Sequence, residues 1–307
     1  MDYKNDSCWK DVQKHLPLDN RLTSNTAPLE KFMTIGNINL HIDHYTVEKP
    51  LARIVLFHGV GGNGRLLSFI AFPLMKNGFE IICPDLPLYG CTKYSGSITY
   101  DMWVDCGVQV VNQFHRDTVP IFLFGLSAGG MLAYQVATRC SDISGIIATC
   151  ILDQRNKHIR KMTARSPFIA VIGNALLSAT HRIIGSLKIP MKLVANMRAI
   201  ANNNDLAELL MRDKKSSGAS VPLSFIHSML NPIIDVEPEC FTQCPFLLVH
   251  PENDRWTDIR LSKLFFDRLA CNKELHILEG AGHFPVEAKG LKQLEEFCTE
   301  FICKHIQ

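Results

Sequence analysis

The chain has 307 residues, 47% of them hydrophobic, enough for one large core or for one core carrying an inserted subdomain. Its net charge is +2, with 20% charged residues of both signs interspersed, so there is no basic stripe suited to a phosphate backbone and a nucleic-acid partner is not expected. Eleven cysteines are scattered without a C-x-x-C pair, and Cys240 and Cys244 lack a His/Cys cluster nearby. This argues against a metal centre and a disulfide framework and fits a reducing, cytoplasmic setting.

Residues Met1–Asn25 are polar and of mixed charge, with no apolar run after a basic start, so no signal peptide is expected. A hairpin is predicted from Phe32–Ile35 and Leu40–Tyr45, turning at Gly36-Asn37. Short apolar runs then read as buried strands: Arg53–Phe57, Glu80–Pro84, Pro120–Phe124, Gly145–Cys150, Pro245–His250 and Glu274–Leu278. Between them lie helical patterns at Leu66–Asn77, Tyr100–Phe114, Met131–Arg139, Leu261–Leu269 and Leu291–His305. This alternation predicts an α/β fold, a mostly parallel sheet flanked by helices.

From about Asp153 to about Asp235 the alternation stops and no strand is predicted. Ala164–Leu187 repeats Phe168, Ile172, Leu176, Ala179, Ile183 and Leu187 at helical spacing, and Met191–Ala201 and Asp205–Arg212 continue in that style. Pro222–Leu230 leads back to the sheet, and Lys214–Ser220 reads as a flexible loop. Phe168–Leu187 is the most apolar stretch, but Asn174, His181, Arg182 and two glycines interrupt it. It could touch lipid at a surface, whereas a spanning helix needs about 20 mostly apolar residues. The expected division is a core from 1–152 and 236–307 with a helical cap inserted at 153–235.

Four motifs carry chemistry. GLSAGG at 125–130 joins a strand directly to a helix, the context in which G-x-S-x-G lifts a nucleophilic serine, Ser127, above a sheet. HGVGGNG at 58–64 follows the strand Arg53–Phe57, and a glycine-rich loop can turn backbone N–H groups toward a developing oxyanion. Val60 and Ala128 are assigned as the two donors. A phosphate-binding loop is the rival reading of Gly59, Gly61 and Gly64, which fit G-x-G-x-x-G, a weak pattern alone. His283, in GAGHF after the last strand, suits a general base, with His250 as its rival. Asp254, in PENDRWTD after the strand Pro245–His250, suits the carboxylate that orients that base, with Glu252 and Asp258 as rivals. The resulting chain order is serine, aspartate, histidine.

As a set, these motifs resemble the α/β-hydrolase superfamily, in the style of serine esterases, monoacylglycerol lipases and lysophospholipases, from roughly Phe32 to the C-terminus. The resemblance implies an eight-stranded sheet with an inserted cap and a serine hydrolase needing neither cofactor nor metal. One departure is Leu88, bulkier than the small turn that many relatives have after D-x-P, which would alter one wall of the pocket. His58 and Gly59, with Phe168, Ile172 and Leu176 of the cap, are the candidates for substrate contact. An apolar cleft favours an acyl-chain ester, such as a monoacylglycerol or lysophospholipid. Acyl-homoserine lactone hydrolysis is the alternative, with acyl transfer and non-catalytic binding behind it.

Overall fold

The computed structural model describes residues 3–4, 6–23, 25–115, 117–166 and 174–306. The strands are β1 (Leu29–Ile35), β2 (Ile38–Tyr45), β3 (Ala52–Phe57), β4 (Phe79–Pro84), β5 (Lys93–Tyr94), β6 (Ile121–Gly125), β7 (Ile143–Ala148), β8 (Lys188–Pro190), β9 (Ser220–Pro222), β10 (Phe246–Pro251) and β11 (Lys273–Leu278). Eight of them run β1-β2-β4-β3-β6-β7-β10-β11, and β5 pairs with β2 off that path. The β1–β2 hairpin is antiparallel, as is β2 with β4; from β4 to β11 every pairing is parallel. β3, β4, β6 and β10 are buried almost throughout because helices cover both faces, which is why they read as continuous apolar runs.

The helices are α1 (Cys8–Gln13), α2 (Ser68–Lys76), α3 (Tyr100–Phe114), α4 (Ala128–Arg139), α5 (Lys157–Thr163), α6 (Asn174–Ile184), α7 (Asn204–Arg212), α8 (Leu223–Leu230), α9 (Ile259–Phe266) and α10 (Ala288–His305). α3 starts where Thr99 caps the Met102 N–H and buries one stripe, including Trp103, Val104, Val110 and Val111. Among the described residues no helix is long and apolar enough to cross a membrane.

The segment between β7 and β10 departs from expectation in three places. It contains strands, since β8 and β9 form a small antiparallel sheet. Met191–Ala201 is not a continuous helix but two 3-10 turns, at Met191–Leu193 and Met197–Ala199. Its buried residues, Met191, Ala195, Met197, Ala199, Ile200 and Ala201, do not share one helical face. Its backbone is also taken up elsewhere, because Arg165 donates to the Val194 carbonyl and Ala164 bridges Ala195. Lys214–Ser220 is a packed turn rather than a flexible loop: Ser216 and Ser217 are buried, and the Ser217 hydroxyl donates to the Gly61 carbonyl at 2.8 Å.

The polar N-terminus is built into the core. Tyr3, Trp9 and Val12 are buried, and the Arg65 guanidinium lies 4.6 Å from the Tyr3 ring and 4.8 Å from the Trp9 ring. Arg65 itself is buried and bidentate to Asp43, at 2.6 and 2.8 Å. Replacing Arg65 with Met would leave Asp43 charged and buried without its partner. The expected cost is about 3–5 kcal/mol, read as a lowered urea midpoint, with Asp43→Asn in the same chain restoring part of it. An unchanged midpoint would show that the pair contributes nothing.

Candidate active site

β6 ends at Gly125 and α4 begins at Ala128, leaving two residues to turn the chain. Ser127 takes φ 59° and ψ −126°, a left-handed conformation that costs on the order of 1–3 kcal/mol for a residue with a side chain. The turn is held from several sides. Leu126 N donates to the Phe57 carbonyl at 3.0 Å, Ser127 N to Thr149 Oγ1 at 3.1 Å, and Gly130 N to the Ser127 carbonyl at 2.9 Å. A Cβ on Gly125 would sit 1.9 Å from the Gly129 carbonyl oxygen, so only glycine fits there.

Two loops from the sheet's parallel half meet the serine. His283, beyond β11, is 3% exposed, with Nε2 2.8 Å from Ser127 Oγ. Its Nδ1 is 2.7 Å from Asp254 Oδ2, beyond β10. The loops are tied together, since Asn253 N donates to the Ala281 carbonyl at 2.8 Å. Asp254 also accepts from Trp256 N, Thr257 N and Thr257 Oγ1, at 2.8, 2.7 and 2.6 Å. Burial alone would raise its pKa, but the His283 ring and these donors outweigh burial and hold it at about 2. The carboxylate therefore stays ionised over the neutral range, as a partner for an imidazolium.

Both rival carboxylates are engaged elsewhere. Glu252 accepts from Gly280 N at 2.8 Å, and Asp258 caps α9, accepting from Arg260 N at 2.9 Å. His250 is buried, which lowers its pKa, and its Nδ1 has no hydrogen-bond partner.

The glycine loop lies against the serine: a Cβ on Gly59 would be 2.8 Å from Ser127 Cβ. Val60 and Ala128 line the cleft beside Ser127. Ala128 opens α4, where a backbone N–H has no partner within the helix and the helix dipole is positive. His58, a candidate for substrate contact, is fully buried, and its ring shapes the loop. Nδ1 lies 2.7 Å from the Gly59 carbonyl, and Nε2 accepts from Leu86 N at 2.9 Å. Burial lowers its pKa to about 4, so it stays neutral with Nδ1 as the donor.

The cleft has a volume of about 300 Å³ and is walled largely by apolar side chains, among them Leu177, Ile184, Ile189, Leu223, Ile226 and Met229. Leu88 is not among its lining residues, so it does not form the altered wall expected of it; instead it takes a left-handed φ of 86°. Phe168 and Ile172 lie outside the described residues, and for Leu176 only the backbone is described. Sequence reasoning missed Trp256, whose ring lies 4.9 Å from that of His283 and whose Nε1 donates to the Thr163 carbonyl of α5 at 2.9 Å. Its one signal was an aromatic residue inside the acid motif. Among the described residues, Glu30, His41 and Asp43 group like metal ligands, but Arg65 already supplies the cation there, within 3.3 Å of Glu30 and bidentate to Asp43.

The chain belongs to the serine aminopeptidase S33 family of hydrolases, whose model matches residues 48–286. An uncharacterized abhydrolase domain-containing protein of Dictyostelium discoideum is 24% identical over 283 residues, 89% of this chain. This chain spans only 28% of that relative's length. In structure, the fold matches a soluble variant of the monoglyceride lipase of Saccharomyces cerevisiae, determined with a substrate analog. The TM-score is 0.74 and the identity 18%, covering 94% of this chain and 98% of that one. It also matches an N-acyl homoserine lactonase mutant complexed with N-hexanoyl homoserine lactone, with a TM-score of 0.63, 14% identity, and 89% and 97% coverage. The chain is thus an α/β hydrolase resembling monoacylglycerol lipases.

Asp254→Asn should lower kcat by about 10⁴, because it reverses the proton demand at His283 Nδ1, whereas Asp258→Asn should leave kcat within a few-fold. Ester turnover by the two variants checks this, and the opposite ranking would make Asp258 the acid. The same pair tests linkage. Because folding lowers the Asp254 pKa from 3.8 to about 2, its ionised form stabilises the fold above pH 4, and that contribution disappears as pH falls from 4 to 2. Wild type should therefore lose roughly 2 kcal/mol relative to Asp254→Asn across that window in urea melts.

Proposed function

We propose that this family member hydrolyses carboxylic esters of acyl-chain substrates, of monoacylglycerol or lysophospholipid type, through an acyl-enzyme on Ser127. The observation that carries the reading is the unbroken series Ser127 Oγ, His283 Nε2, His283 Nδ1 and Asp254 Oδ2, at 2.8 and 2.7 Å, at the wall of an apolar cleft. In this reading Ser127 Oγ attacks the ester carbonyl while His283 Nε2 takes its proton. Asp254 holds the ring by Nδ1–H and balances the imidazolium. The tetrahedral oxyanion accepts hydrogen bonds from the Val60 and Ala128 N–H groups, each worth roughly 3–4 kcal/mol of transition-state stabilisation. The alcohol leaves with the proton from His283, and water then repeats the sequence on the acyl-enzyme. All eleven cysteines are unpaired, which supports a reducing, cytoplasmic setting.

A second reading, opening of an acyl-homoserine lactone, uses the same steps with the leaving alcohol tethered to the product. It is supported by the fold shared with the lactonase.

A fluorophosphonate should label the wild type and not Ser127→Ala, and the variant should lose ester turnover while keeping its melting temperature. Labelling that survives the substitution would place the nucleophile elsewhere. Across p-nitrophenyl esters from butyrate to dodecanoate, kcat/KM should rise about fourfold per methylene, from about 0.8 kcal/mol each, until the cleft is full. A flat profile would exclude acyl-chain binding in the cleft. Including a monoacylglycerol and an acyl-homoserine lactone separates the two readings.

A further inference from the structure

The cleft wall carries a cation that has no partner among the described residues. Arg160, on α5, is half-buried and lines the same cleft as Ser127. The other buried or half-buried arginines whose side chains are described are all engaged. Arg21 donates to the Leu16 and Lys14 carbonyls, Arg53 pairs with Glu80 and Asp117, and Arg65 with Asp43. Arg139 pairs with Asp105 and Asp235, and Arg155 with Asp153 and Glu237. The Arg160 guanidinium makes no ion pair or hydrogen bond among the described residues. The acids nearest in sequence cannot serve it: Asp153 is held by Arg155 through contacts of 2.8 to 3.0 Å, and α5 has no acidic residue. Gln154 lines the same cleft, and among the described residues its buried Oε1 has no hydrogen-bond partner.

An arginine on an otherwise apolar wall loses hydration on one side and gains no counter-charge from the protein. The guanidinium is planar and always charged, with a fork of donors that fits a phosphate or carboxylate, and a low-dielectric wall strengthens that contact. A neutral acyl chain offers neither Arg160 nor Gln154 anything.

We propose that Arg160 and Gln154 form an anion subsite, and that the substrate is an acyl ester carrying a phosphate or carboxylate at its polar end. Gln154 Oε1 would accept from a hydroxyl of that end. The proposal rests on the hydrolase reading for what happens to the ligand, but binding at the subsite can be measured without turnover.

The test is calorimetry on the full-length Ser127→Ala chain with octyl phosphate, octanoate and octanol, which share one chain and differ at the end group. At least one anion should bind tenfold or more tighter than octanol, the range of a charge-assisted hydrogen bond. Whichever anion binds tighter identifies the group. Adding Arg160→Met should bring anion and alcohol to within about threefold of each other while octanol binding stays unchanged, and Arg160→Lys should keep part of the preference. Equal binding of all three ligands, or a preference that survives Arg160→Met, would overturn the subsite. So would a preference abolished by Lys157→Gln with Lys161→Gln, since those exposed lysines act only from the surface. None of these results depends on hydrolysis, whose failure would appear instead as absent fluorophosphonate labelling of the wild type.

Discussion

The site depends on one strained residue. Ser127 is held at positive φ between β6 and α4, and the neighbouring residues are chosen by the space this leaves. Gly125 has no room for a Cβ because α4 starts immediately behind it, and Gly59 has none because the loop after β3 lies directly on the serine. The strain is balanced by backbone hydrogen bonds from adjacent strands, such as Leu126 to Phe57, and by the Thr149 hydroxyl. A parallel sheet makes this possible. Its β3, β6, β10 and β11 ends all open on the same edge, so four loops far apart in sequence converge on one point.

The glycine loop is held as firmly as the elbow, from two sides. On the core side, Asp85 Oδ1 accepts from Gly64 N at 2.7 Å, while Oδ2 accepts from Cys91 N at 2.7 Å and from the Tyr3 hydroxyl at 2.9 Å. On the side of the segment between β7 and β10, Ser217 donates to the Gly61 carbonyl, and Gly90 N donates to the Lys215 carbonyl at 2.8 Å. Lys215 Nζ reaches back to Asp6 at 2.6 Å. The N-terminal segment, the D-x-P turn and the turn before β9 therefore form one fastening around the loop that faces Ser127. Preorganised donors aid a reaction only when they cannot relax toward another partner, and this arrangement restricts such relaxation.

One interaction joins the site to the segment between β7 and β10. Trp256 packs on the His283 ring and donates to the Thr163 carbonyl, which ties the loop carrying Asp254 to α5. Arg160 lies on that same short helix, one turn before Thr163. The residue that shields the base and the cation of the cleft wall are thus positioned by one element.

The core was legible in the sequence because its signals are local. A buried parallel strand is an unbroken apolar run, as in Ile121–Gly125, and the elbow requires small residues at fixed offsets from Ser127. The motifs at Asp254 and His283 were readable for the same reason, each following such a run. Their distances to Ser127 were not readable, nor were the partners that Glu252 and Asp258 take elsewhere, because these depend on which strands are neighbours. His58 lay inside a chemical motif yet faces inward to Leu86, a partner 28 positions away. The burial of Tyr3 and Trp9 in the polar N-terminus was not readable, because they pack against Arg65, far along the chain. Met191–Ala201 read as a helix, but carbonyls and amides from Ala164–Arg165 claimed its backbone. What the sequence by itself determined was the chain's alternation of strand and helix and the residues capable of the chemistry, since both follow from spacing along the chain. Which of those residues meet, and which charges end without a partner, only the tertiary structure decided, because hydrogen bonds and ion pairs act over ångströms in space.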